Sequence, residues 1–206
     1  MKNSIITICF FIAGCFIGAH HEFNSDIHEW AVYVLYGLMI CIGMNLGANE
    51  NLKEFVKCLR PKMLLVPLGT IAGTIVFSAL GALILRKWSV SECISVGCGF
   101  AYYSVSSVLI TQIKTASIGL QMATELGTIA LLSNIFREMI GLIGTPFIRK
   151  HFGALAPISA AGIGSADITL GMITQCSGMK YVPVAIVHGL LINISMPFLV
   201  TFFCNM

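Results

Sequence analysis

The 206-residue sequence predicts an all-α polytopic membrane helix bundle with five to seven membrane segments, two of them broken by glycine. Three observations point there. Hydrophobic residues make up 57% of the chain and charged residues only 10%, with a mean hydropathy of +0.90; soluble domains carry about 25% charged residues. Apolar runs of roughly membrane thickness recur along the whole length. The longest of them, residues 120–148, contains Glu125, Arg137 and Glu138. Charges at such depth cost at least about 2.5 kcal/mol each on insertion scales, so they rarely persist without a role.

The first run, residues 4–19, follows a single Lys2. Its Ile12-Ala13-Gly14-Cys15 resembles a lipoprotein cleavage box, but four residues in an apolar run are a weak match, and an uncleaved helix is the preferred reading. A loop at 20–29 holds three histidines and three acids, without Lys or Arg. Residues 30–46 form a second span, with Trp30 and Tyr33 placed as an interfacial belt. The densest basic loop follows at 48–62, with Lys53, Lys57, Arg60 and Lys62, so it belongs on the cytoplasmic side together with the N-terminus. Residues 63–85 make a third span with Gly69 and Gly73 at GxxxG spacing.

Segments 91–112 and 154–175 are each about one membrane thickness long and interrupted near the middle, by Gly97 and Gly99 in the first and by Gly162 and Gly164 in the second. Broken backbone at membrane depth is tolerated only where it is buried or lines a cavity, and paired broken segments point to a transporter binding site. Two ordinary helices with tolerated glycines are the alternative. If all seven segments cross, the inner loops hold seven Lys/Arg and the outer four, leaving Arg137 aside; if the broken pair are re-entrant hairpins, the split is eight to three. The second is slightly better by the positive-inside rule, and both put the C-terminus outside. The last span, 182–203, contains His188, Asn193 and Pro197. No linker divides the chain, so residues 1–206 read as a single domain.

Between the two broken segments lies the central helix, 120–148. At 1.5 Å per residue it would rise about 43 Å, more than the roughly 30 Å hydrocarbon core, so a tilt or break is expected. Ala123, Gly127, Ala130, Asn134, Glu138, Gly141 and Thr145 recur at steps of three and four, a stripe of small and polar residues that should face other helices. Glu125 lies about 140° around the helix from Glu138, so the two need not share a site.

The composition excludes several classes. A net charge of +3 without a Lys/Arg-rich run gives no nucleic-acid signature, and no GxxxxGK[ST] motif is present. Most of the eight cysteines sit in apolar runs without a CxxC pair, reading as small core residues, with no metal or cofactor site implied. Within the spans, Glu125, Arg137, Glu138 and Asp167 sum, if ionised, to a net charge of minus two. A pocket of that sign suits a cation or protons, and a desolvated carboxylate can exchange a proton for a substrate amine. Backbone N–H groups freed at Gly162 to Ser165, together with Arg137, could receive a carboxylate. In the blander alternative Arg137 and Glu138 simply neutralise one another. His188, a lone intramembrane histidine, reads first as a hydrogen-bonded interface residue.

These residues resemble a known family. ELGTIALLSNIFRE at 125–138, GSADITL at 164–170, YVPVAIVHG at 181–189 and YYSVSS at 102–107, which includes Tyr103 and Ser104, look like the lysine exporters of the LysO type. The resemblance covers roughly residues 30–206. It implies export of L-lysine and its toxic analogues across a bacterial cytoplasmic membrane, and it implies that transport depends on Glu138 and Asp167. Two departures stand out: an N-terminal portion carried by full-length members is missing, and Gly171 replaces an expected proline. A separately encoded small membrane partner, or a homodimer, is therefore expected. Proton antiport is the expected coupling, because expelling one positive charge opposes about 2.3 kcal/mol per 100 mV. The competing readings are an exporter of another amino acid, a passive channel or assembly factor, and an intramembrane protease using Ser165 and His188.

Overall fold

The computed structural model describes residues 61–206, together with Phe16, Tyr33 and Met44. The apolar runs at 4–19 and 30–46, the histidine-bearing loop and the basic loop up to Arg60 lie outside the described residues. Among the described residues there are seven α-helices and no strand. Three are long and apolar enough to cross a membrane: α1 (Pro61–Ile84), α4 (Leu120–Phe152) and α7 (Val182–Cys204).

The other four helices make two hairpins. The first comprises α2 (Val90–Gly97) and α3 (Tyr103–Ile118); the second comprises α5 (Ala156–Ala161), a 3-10 turn (Gly162–Ala166) and α6 (Leu170–Ser177). Helices of eight and six residues rise about 12 and 9 Å, far short of a bilayer core. Both hairpins return to the end they start from. Lys114 near the end of α3 pairs with Glu92 in the first turn of α2 at 3.3 Å, and Lys87 before α2 pairs with Glu125 near the start of α4 at 2.5 Å. The second hairpin starts after α4 ends and finishes at a 3-10 turn, Met179–Tyr181, that leads into α7. Of the two topologies open in the sequence, the backbone of the described residues follows the path of the re-entrant one, with three helices long and apolar enough to cross.

The hairpins enter from opposite ends and meet tip to tip. The Ile163 N–H donates to the Phe100 carbonyl at 3.0 Å. Gly162 has φ +59, and a Cβ there would run into the Phe100 carbonyl oxygen, so only glycine fits. On the opposite tip, Phe100 (φ 46) and Ala101 (φ 72) occupy the left-handed region without being glycine. That conformation costs roughly 1–2 kcal/mol per residue and persists only where packing dictates it. Phe100 is fully buried and Asn134 holds the Ala101 N–H.

The central helix α4 is not broken, despite Pro146; its 33 residues run about 50 Å. The small-residue stripe does face the protein: Ala123, Gly127, Ala130, Asn134, Gly141 and Thr145 are buried. Gly127 allows the closest approach, since a Cβ there would strike Thr111 of α3. Glu138 departs from this pattern and is half-buried.

Candidate functional site

The middle of α4 supplies three polar side chains to the hairpin junction, each turned to a different task. Asn134, 2% exposed, accepts the Ala101 N–H at 2.8 Å and donates to the Val96 carbonyl at 3.1 Å and the Ala130 carbonyl at 2.9 Å. It fixes the tip of the first hairpin, with both amide protons and one Oδ1 lone pair engaged.

Arg137 does not pair with Glu138. Its guanidinium donates to the Ala160, Ser159 and Gly97 carbonyls at 3.4, 3.3 and 3.5 Å and to the Thr74 hydroxyl at 3.5 Å. It also lies over the Phe100 ring, 5.3 Å from its centroid. Gly97 ends α2, and Ser159 and Ala160 lie in the last turn of α5, so the negative ends of both entering half-helices converge on one cation. A cavity of about 490 Å³ opens beside it, lined by Gly69, Thr70, Gly73 and Thr74 of α1 among others. The GxxxG face of α1 borders this space; a Cβ at Gly69 or Gly73 would meet nothing within 4 Å.

Glu138, the next residue, turns toward the second hairpin, where it lies within electrostatic reach of Asp167. Asp167 follows the 3-10 turn, in the unusual backbone conformation φ −134, ψ −100, and is exposed. Among the described residues neither carboxylate receives a hydrogen bond or an ion pair; the two ion pairs there involve Glu125 and Glu92. Two carboxylates within electrostatic reach of each other, neither of them ion-paired among the described residues, suit an ammonium group or a shared proton.

Ser165, two residues before Asp167, is fully buried and connected to His188. The Ser165 hydroxyl donates to the Ala185 carbonyl at 2.9 Å and lies 2.9 Å from His188 Nδ1; His188 Nε2 lies 2.9 Å from the Thr70 hydroxyl. This chain ties α1, the second hairpin and α7 together, so His188 is the interface residue that its type suggests. The Ser–His pair of the protease reading is within hydrogen-bonding distance, yet both members are 0% exposed. A nucleophile needs an approach for its substrate, and this one has none. Nor are the N–H groups of the 3-10 turn all free for a carboxylate, because Phe100 takes that of Ile163.

Glu125 is not part of the junction. It is exposed at the end of the bundle, held by Lys87 at 2.5 and 2.7 Å. Tyr103 and Ser104 are half-buried in the first turn of α3, at the tip of the first hairpin, where no side chain caps the helix. Sequence reasoning missed Thr70, Thr74 and Phe100, and it missed the buried Glu92–Lys114 pair. The pattern Ser89-x-x-Glu92 was the available signal: Glu92 and Ser89 form a reciprocal capping box that starts α2.

The junction of the two opposed hairpins stands where the sequence motifs converge. A model of the family described as Lysine exporter LysO matches residues 8–204. The chain belongs to the lysine exporter LysO family. Among its relatives, the Lysine exporter LysO of Escherichia coli (strain K12) is 26% identical over 182 residues, which are 88% of this chain and 57% of that protein. The chain thus spans little more than half the length of that LysO relative. A Putative lysine exporter of Haemophilus influenzae (strain ATCC 51907 / DSM 11121 / KW20 / Rd) is 28% identical over 180 residues, 84% of each chain. No solved structure matches the chain. The LysO-family segments quoted from the sequence map onto α3, α4, the second hairpin and α7, the elements that build the junction.

Proposed function

We propose that the chain exports L-lysine from the cytoplasm as a secondary transporter, with Glu138 and Asp167 as the residues that bind the substrate ammonium and exchange it for a proton. The observation that carries this reading is a pair of carboxylates, Glu138 and Asp167, within electrostatic reach of each other and without an ion-pair partner among the described residues. In transporters with opposed repeats, substrate sites lie at such broken helices near mid-membrane. The names of both relatives support export of lysine specifically. The basic residues support an orientation with the α4–α5 and α6–α7 turns in the cytoplasm and the C-terminus outside, the eight-to-three division of Lys and Arg.

The test is efflux of labelled lysine from loaded vesicles containing the full chain, with and without an imposed proton gradient. Efflux stimulated by protons on the receiving side, and absent from Asp167→Asn, is the expected result. Equal efflux of a neutral amino acid, which has an α-ammonium but no side-chain one, would rule out selection of the side-chain ammonium, and normal efflux by Asp167→Asn would sink the assignment.

A further inference from the structure

Arg137 leaves a charge unaccounted for. Among the described residues no carboxylate lies within ion-pairing distance of it, since the only two pairs are Lys87–Glu125 and Lys114–Glu92. Its partners are a hydroxyl and three carbonyl oxygens at 3.3–3.5 Å, beyond the usual N–H···O distance. They supply dipoles but no negative charge. A cation at this depth is ordinarily matched by an anion, because an uncompensated charge away from water is costly. The space next to it fits that role. The open groove of about 490 Å³ is within the range of small-molecule sites, and among the described residues its wall carries the hydroxyl-bearing Thr70, Thr74, Ser78 and Ser159 but no acid.

Charge balance points to the occupant. With Glu125 removed to the end of the bundle, the junction carries Arg137, Glu138 and Asp167, one positive and two negative groups. Lysine carries one negative and two positive groups. Consecutive positions on α4 diverge by about 100°, so Arg137 and Glu138 reach neighbouring faces of the helix and do not neutralise each other. A site for a substrate with opposite charges at its two ends needs that separation.

We propose that the Arg137 cavity is the carboxylate half of the substrate site: the guanidinium fork receives the α-carboxylate of the amino acid, while Glu138 and Asp167 receive its ammonium end. This inference rests on the reading of the chain as an amino-acid exporter. Arg137 then sets specificity, separating an amino acid from a diamine of the same length. Gly69 and Gly73 keep the cavity open by having no side chain to fill it.

The experiment compares equilibrium binding of lysine, lysine methyl ester and cadaverine to the purified full chain in lipid nanodiscs. Wild type should prefer lysine over both analogues by about tenfold or more, the worth of one charge-assisted contact. Arg137→Gln should bind lysine and cadaverine alike, its cadaverine binding showing that the site is still assembled. Gly73→Leu, which puts a side chain into the space beside Arg137 and keeps the guanidinium, should lose the same preference, and it decides the matter if Arg137→Gln fails to fold. Equal binding of the three compounds by wild type, or a preference retained in the variants, would overturn the carboxylate site and leave the exporter reading intact. Absence of lysine binding to wild type would instead overturn the exporter reading, and this inference with it.

Discussion

Asp167 and Glu138 differ from the other acids among the described residues in having nothing to neutralise them. Asp167→Asn and Glu138→Gln keep shape and lose a titratable charge, so insertion into the membrane should become easier while efflux is abolished. Glu125→Gln should leave efflux near wild type. Its partner Lys87 is exposed, and such a pair contributes at most about 1 kcal/mol. Efflux at matched membrane abundance checks all three. Asn134→Ala tests a different role. It leaves the Ala101 N–H and the Val96 carbonyl without their side-chain partner, a loss of about 1–3 kcal/mol for an unsatisfied buried group, visible as a lower thermal midpoint in detergent. The identity of these residues was legible in the sequence because ionisable groups in apolar runs are rare. Their pairing was not. Arg137 and Glu138 are neighbours in sequence, and nothing in that adjacency shows that carbonyls from two hairpin ends would claim one of them. Glu92 was overlooked for a related reason: its partner Lys114 is 22 positions away, and only the hairpin fold brings them together.

At the scale of elements, the small-residue stripe of α4 could be read from its spacing, because a 3.6-residue period needs no knowledge of the partner. The breaks at Gly97–Gly99 and Gly162–Gly164 were also legible, since glycine at membrane depth lowers helix propensity. What the sequence left open was whether the chain turns back, which depends on contacts between tips. Gly162 is where that contact can be tested. Gly162→Ala forces a side chain into the left-handed region and against the Phe100 carbonyl, so the tips must separate. A destabilisation of about 1–3 kcal/mol is expected, together with faster hydrogen exchange at the Ile163 amide, whose hydrogen bond crosses the junction. Unchanged protection at Ile163 would mean the tips are not held by this contact. Gly171→Ala makes the comparison, because a Cβ there meets nothing within 4 Å and φ is not positive, so little change is expected.

Over the whole molecule, two hairpins inserted from opposite ends give each face of the membrane its own half-helix pair leading to one shared junction. That arrangement requires α1, α4 and α7 to cross and the hairpins not to, and it fixes which turns share a side. The turn containing Lys87 and the end of α7 lie at one end, and Lys150, in the last turn of α4, lies at the other. The positive-inside rule then puts Lys150 in the cytoplasm and Lys87 outside. A membrane-impermeant maleimide should therefore label Lys87→Cys in intact cells and Lys150→Cys only after permeabilisation, with the native cysteines replaced beforehand. If both positions were labelled from the same side, an odd number of crossings between them would be excluded, and α4 could not be a span. The reverse labelling would keep the fold and overturn this orientation. With the expected pattern, a lysine leaving a negative interior moves against about 2.3 kcal/mol per 100 mV, and protons returning from outside would supply the opposing drive.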